Sequence, residues 1–278
     1  MAIIEHIVII GWDGAGNFVQ AAHTPNLDRL AAAGAFDFQA QTELPTISAP
    51  CWGSLLHGVS PEKHGRTNEL AAKDVYPKDS PYPSIFRVAR EAFPDAKLAS
   101  FCAWPPINDG LIEFSIGVHK VSLPDEELAD AAAAYITANP DFKLLFLALD
   151  LPDAAGHRHG YNTDAQLRAI EETDAHTGIV LQALESAGIW EQTLIIAVSD
   201  HGGGGADAHA HGSSHPLDRT IFWGCAGPGV EPGAQIPGGI TIKDTAAVVA
   251  KALGIPSPAV WEAQSPDRLL QEARCDKV

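Results

Sequence analysis

The stretch KLLFLALDLPDAAGH, residues 143–157, reads as a buried strand whose far end delivers acidic and imidazole side chains. A near-continuous apolar run of this length suits a strand covered on both faces, as in a parallel sheet. In open parallel sheets ligands bind beyond the carboxyl ends of the strands, which is where Asp150 and Asp153 fall. His157 lies four residues after Asp153, so both side chains can turn to one point if the segment is helical or tightly turned.

Working outward, HIVIIG at 6–11, KLASF at 97–101, TLIIAV at 193–198 and RTIFWG at 219–224 repeat the strand pattern. Helical patterns lie between them, in NLDRLAAAG after Pro25, CWGSLLHG after Pro50, PSIFRVAREAF, EELADAAAAYI and KDTAAVVAKALG. The clearest long helix starts near Thr163, carries Leu167, Ile170, Thr177, Leu181 and Leu184 on one face, and is stopped by Gly188. The alternation predicts an α/β fold: a doubly wound, mostly parallel central sheet with helices on both faces, in one domain over residues 1–278. Arg66 to Tyr82 has little periodicity and is expected to be a surface excursion and a substrate-side flap.

The chain has 278 residues, 46% of them hydrophobic, enough for a sizeable core. With 18 Lys plus Arg against 35 Asp plus Glu the formal charge is −17, which disfavours a nucleic-acid partner and points to a small substrate. No apolar run approaches the roughly 20 residues that cross a bilayer, and no basic leader precedes the first strand, so no membrane partner and a cytoplasmic address are expected. Cys51, Cys102, Cys225 and Cys275 show no CxxC spacing and are read as reduced thiols. The 12 histidines fall largely beside Asp and Gly, a composition compatible with metal binding.

Three predicted strand ends present carboxylates on one rim: Asp13, then Asp150 with Asp153, then Asp200 beside His201. Each alone also fits a turn or a helix cap; together they would repel strongly unless cations sat among them. His209, His211 and His215, in ADAHAHGSSH, can fold back over the glycine loop to complete a metal shell. In LPTISAPCWGSLLHGVSPEKHG, Pro50 suits the first helical position and places Ser48 at a helix mouth, where an oxyanion is favoured and a divalent cation can lower the hydroxyl pKa.

These residues resemble the alkaline phosphatase superfamily, most closely its type I phosphodiesterase and nucleotide pyrophosphatase branch. The likeness runs through HTPNLDRLAAAGA, the Ser48 segment to GVSPEKHG, LPDAAGHRHG, SDHGGGG with a later HGS, GPGV and KDTAAVVAKALGIP. It implies that Asp13, Ser48, Asp200 and His201 hold one metal and Asp153, His157 and His211 the other, with His209 and His215 as alternatives to His211. It also implies that Asn68 contacts a phosphate oxygen beside a backbone amide near Ser48. Where related sulfatases carry an Arg, this chain has Trp52, which disfavours sulfate esters.

The expected activity is metal-dependent phosphodiester or nucleotide pyrophosphate hydrolysis through a phosphoseryl intermediate, on a small phosphate ester or nucleotide. Zinc suits the Asp/His donors and manganese is also compatible. A phosphomonoesterase or phosphomutase on the same scaffold, and a metal-binding protein without turnover, are the rivals. Should Ser48 prove dispensable, Thr46 is the next side chain to examine. Lys63 and Arg66, read as solvated turn residues, are the only cations near the nucleophile segment. Trp52, Trp104 with its prolines, and Tyr76 or Tyr82 are expected to wall a diester's second substituent.

Overall fold

The computed structural model describes residues 3–236 and 238–271. Seven strands, β1 (His6–Trp12), β2 (Gly34–Gln41), β3 (Leu98–Cys102), β4 (Val118–Val121), β5 (Leu144–Leu149), β6 (Thr193–Ser199) and β7 (Thr220–Ala226), form one sheet in the order β2-β7-β6-β1-β5-β3-β4. From β6 to β4 all neighbours pair in parallel. β7 runs antiparallel to both β6 and β2. RTIFWG is therefore a strand, but one that starts at the rim where the parallel strands end.

The unforeseen strands are edges. β2 carries Asp37, Gln39 and Gln41, a half-exposed alternation that imitates a loop, and β4 has only four residues. Edge strands need one buried face or less, so their composition is weakly constrained.

Helices cover both faces: α1 (Pro25–Ala33), α2 (Ser48–His57), α3 (Pro61–His64), α4 (Asn68–Lys73), α5 (Ile85–Ala92), α6 (Pro105–Gly110), α7 (Asp125–Ala138), α8 (Leu151–His159), α9 (Asp164–Ser186), α10 (Pro216–Arg219) and α11 (Asp244–Ala252). β1 shows why two layers are required. Ile7 and Ile9 enter a core with Trp52, Leu55 and Leu56 of α2, whereas Val8, Ile10 and Trp12 enter the opposite core with Leu27, Leu30 and Ile170 of α1 and α9. Fully burying such a side chain is worth about 1.5–3 kcal/mol, so the all-apolar strand sequences demand cover on each side.

The long helix α9 begins where expected because Thr163 caps it, accepting from the Gln166 amide, and it gives way to Gly188 at φ +70°. Gln166 has a further use: its Nε2 donates to the Gly14 carbonyl at 3.0 Å, tying the turn after β1 to this helix. Segment 66–82 differs from expectation. It contains α4, and Arg66 and Tyr76 are buried. Arg66 donates to the Gly110 and Asp74 carbonyls, and Tyr76 stacks on His57 with ring centroids 4.2 Å apart. Arg66 is thus a buried clamp rather than a solvated turn residue, and the segment is pinned at these two points. Cys51, Cys102 and Cys225 are buried free thiols; Cys275 lies outside the described residues.

Candidate active site

The parallel strand order brings the carboxyl ends of β1, β5 and β6 side by side, and with them Asp13, Asp150, Asp153 and Asp200. The register makes this exact to a residue: Trp12 pairs with both Leu149 and Ser199, so each strand stops at the same level and is followed by a carboxylate.

The first group is Asp13, Asp200 and His201, all buried. His201 Nε2 lies 3.4 Å from Asp13 Oδ1, from Asp200 Oδ2 and from Ser48 Oγ. The remaining oxygen of each carboxylate is spoken for. Asp13 Oδ2 accepts from Trp52 Nε1 at 2.9 Å, and Asp200 Oδ1 accepts from the Gly14 and His201 amides. Asp13 Oδ1 and Asp200 Oδ2 have no hydrogen-bond partner although both are buried. Burial first, and then the neighbouring carboxylates, push both acids well above the usual carboxylate range.

The second group is Asp153, His157 and His211. Asp153 Oδ2 is 3.3 Å from His157 Nε2, Asp153 Oδ1 is 3.7 Å from His211 Nε2, and the two imidazole Nε2 atoms are 3.1 Å apart. Burial opposes the Asp153 charge, but the bond to His157 and the nearby His201 and His211 outweigh it and hold that acid down to about 2. The same bond raises His157 to about 9. Side-chain exposure climbs from 0% at His201 to 47% at His157, so the second group faces the opening.

The tautomers are set by backbone carbonyls. Nδ1 of His201, His157 and His211 meets the carbonyls of Gly202, His209 and Thr46 at 2.8, 2.8 and 2.7 Å, and a carbonyl can only accept. Each Nδ1 therefore carries a proton; Nε2 of His201 and His211 presents a lone pair to the cluster, and Nε2 of His157, protonated against Asp153 and facing His211, offers one when that proton leaves. Lone pairs and orphaned carboxylate oxygens converging on two points are what a divalent cation satisfies, and imidazoles locked through the other nitrogen are its usual donors. The Asp/His set fits such ions.

His211 is the one imidazole of its loop that reaches the site. His209 Nδ1 instead meets the His157 carbonyl, and His215 caps α10 by accepting from Leu217. Thr46 is fully buried and engaged on both sides, donating to the Ser213 carbonyl and accepting from Gly212, so it holds the loop of His211 and offers no free hydroxyl. Asp218, not foreseen, organises the same loop by accepting from Gly205 and Ser213. Nothing in its surroundings in sequence distinguishes it from an ordinary first-turn acid.

Ser48 is the first residue of α2, which places Pro50 third in the helix, still within the turn whose amides lack helical acceptors. Asn68 stands beside it, but the pairing differs from expectation. The Ala49 amide donates to Asn68 Oδ1 at 2.8 Å, so that amide is not free for a substrate oxygen, and Asn68 is oriented with its NH₂ as the remaining donor. Trp52 and Tyr76 are buried and wall no substrate space. Trp52 holds Asp13, and Gly11 makes room for it: a Cβ there would come within 2.3 Å of the indole. A cavity of about 410 Å³ does open at the ends of β3 to β5, lined by Ala103, Pro105, Leu123, Pro124, Asp150 and Leu151. Burial, then Asp153, raises Asp150 to about 7.

Residues 7–251 match the family described as type I phosphodiesterase / nucleotide pyrophosphatase. The chain belongs to that family. It is thereby a member of the alkaline phosphatase superfamily. Bovine (Bos taurus) bis(5'-adenosyl)-triphosphatase ENPP4 is 22% identical over 216 residues, covering 70% of this chain and 47% of that protein. The chain thus spans about half the length of the curated relatives it matches first. Murine ectonucleotide pyrophosphatase / phosphodiesterase 5 superposes with a TM-score of 0.72 at 16% identity, over 91% of this chain and 96% of that one. Phosphonate monoester hydrolase from Silicibacter pomeroyi gives 0.74 at 16% identity, over 98% and 78%. At such identities the structural likeness establishes the shared fold.

Proposed function

We propose that this chain is a two-metal phosphodiester hydrolase that works through a phosphoserine at Ser48. The observation that carries the reading is the position of the Ser48 hydroxyl, 3.4 Å from His201 Nε2, the same nitrogen that the orphaned oxygens of Asp13 and Asp200 approach at 3.4 Å. A purely structural metal site is closed by protein ligands and has no use for a hydroxyl at a helix start.

Asp13, Asp200, His201 and Ser48 would hold one divalent cation and Asp153, His157 and His211 a second, with zinc favoured by the donors and manganese compatible. Such ions supply the positive charge that lowers the hydroxyl pKa and stabilises the oxygens of an in-line displacement. Ser48 Oγ attacks phosphorus from the first turn of α2, and the ester oxygen opposite leaves as phosphoserine forms. Water then cleaves the phosphoserine from the vacated side. Asn68, fixed by Ala49, offers its NH₂ to an equatorial oxygen. The cavity beside Asp150 seats a substituent of the diester.

Two features support a diester over a monoester. Lys63 is paired with Glu262 at 2.9 Å, and the Arg66 guanidinium is consumed by two carbonyls, so neither stands free to balance the second charge of a monoester. Family membership and the relation to the bovine triphosphatase favour the same chemistry.

The decisive experiment is Ser48→Ala. It should abolish turnover, by about 10⁴-fold or more in kcat, while elemental analysis still finds close to two metal ions per chain. Near wild-type kcat would remove Ser48 as nucleophile, and a stoichiometry of zero after metal supplementation would remove the site itself.

A further inference from the structure

Tyr161 lies two residues beyond the helix that carries Asp153 and His157, just past its capping Gly160, and it is 6% exposed. Its phenol donates to Asp153 Oδ1, the same oxygen that faces His211. Its ring meets His157 edge-on, with centroids 5.7 Å apart at 78°, and His211 likewise at 6.1 Å and 75°. One side chain therefore touches every member of the second group. Its backbone adds a fourth tie: the Tyr161 amide donates at 2.8 Å to the carbonyl of Ala208, in the loop that presents His211.

The surrounding glycines are shaped to this ring. A Cβ on Gly156 of α8 would stand 2.5 Å from Cε1, one on Gly203 would stand 2.6 Å from Cδ1, and one on Gly204 would stand 3.0 Å from the Tyr161 Cβ. Gly203 and Gly204 facing Gly156 accordingly make a slot between α8 and the His211 loop, filled by an aromatic ring. The slot carries the phenol to a carboxylate whose other oxygen is turned to His157. An apolar filler such as Phe would pack the slot equally well, and the hydroxyl is what remains to be explained. Tyrosine is costly to bury unless its O–H is bonded, and here its one proton is directed to a metal-ligand candidate.

We infer that Tyr161 is the positioning residue of the second metal group: its hydroxyl fixes the Asp153 carboxylate while its ring sets the planes of His157 and His211. This rests on the two-metal reading proposed above. Partners of this kind, standing behind the ligands, typically change metal affinity by about 10–100-fold when removed.

Tyr161→Phe keeps the ring and deletes only the hydroxyl, so it separates positioning from packing. Zinc titration by calorimetry, and cobalt titration followed by its visible absorption, should show two equivalents in the wild type. In Tyr161→Phe the first equivalent should bind as before, while the second should weaken by about 10–100-fold with an altered cobalt spectrum. Its melting temperature in chelator should stay near wild type, and excess zinc should restore kcat. Two equivalents bound with wild-type affinity and spectrum would overturn the inference, as would equal weakening of both equivalents or a loss of kcat that saturating zinc does not recover. A wild type that takes up no metal would instead refute the underlying site, which keeps the two failures distinct.

Discussion

Asp200→Asn should stabilise the protein in chelator while depriving it of half its response to zinc. In the native side chain Oδ1 is satisfied by the Gly14 and His201 amides, whereas Oδ2 is buried without a partner, 3.4 Å from a His201 lone pair and near the equally orphaned Asp13 Oδ1. The isosteric amide keeps the first oxygen and puts an NH₂ donor where the second stood. A buried unsatisfied group costs about 1–3 kcal/mol, so relieving the two orphaned oxygens should stabilise the chelated protein by about 2–6 kcal/mol. At about 2–4 °C per kcal/mol, Tm rises by roughly 4–24 °C. Zinc at 100 times its Kd adds about 2.7 kcal/mol per occupied site, so wild type should gain at both sites and the variant at one. Differential scanning calorimetry at one fixed pH, with and without chelator, reads both effects. If Asp200→Asn melts below wild type in chelator, Asp200 is a satisfied structural acid, and the electrostatic argument for a cation at this point fails.

Other outcomes follow from the same geometry. On one zinc-loaded preparation, kcat/KM for bis-p-nitrophenyl phosphate should exceed that for p-nitrophenyl phosphate; a tenfold monoester advantage, about 1.4 kcal/mol, would overturn the diester preference. Trp52→Phe should destabilise by about 1–3 kcal/mol by orphaning Asp13 Oδ2, and should weaken metal uptake; unchanged zinc affinity would show that Asp13 needs no such support. His64 is held neutral, accepting from the Arg66 amide and donating to the Pro50 carbonyl, and burial followed by His57 lowers it to about 3. Because the unfolded chain takes up that proton near pH 6.5, the contribution of His64 is intact above that pH and is lost as pH falls toward 3, amounting to roughly 2–3 kcal/mol by pH 4.5. Chemical denaturation of wild type and His64→Gln between pH 7 and 4.5 should show a shallower decline in the variant, and parallel declines would refute the assignment.

Much of this protein is legible from its residues alone, for a physical reason. A strand buried on both faces must be apolar throughout, so β1, β3, β5, β6 and β7 stand out, and the 3.6-residue period marks α9 and α11. Because parallel strands end on one rim, the acids that follow them point to one site from their sequence positions alone: Asp13, Asp153 and Asp200, with His157, His201 and Ser48 nearby in sequence or at a helix start. What sequence could not decide is whatever depends on contacts between distant segments. His209, His211 and His215 share one loop and one chemistry, and only the clasp of Thr46 on the His211 ring and on Gly212 selects among them. Trp52 reads as an apolar helix face, yet its single N–H reaches Asp13 across 39 positions. Arg66 reads as a surface cation until two carbonyls from other elements claim it. Tyr161 carries no local signature at all, since its place is defined by glycines 156 and 203 on opposite walls of a slot that exists only once the chain has folded. Periodic burial is written locally, one residue at a time; the partner of a hydrogen bond is settled by where the rest of the chain arrives.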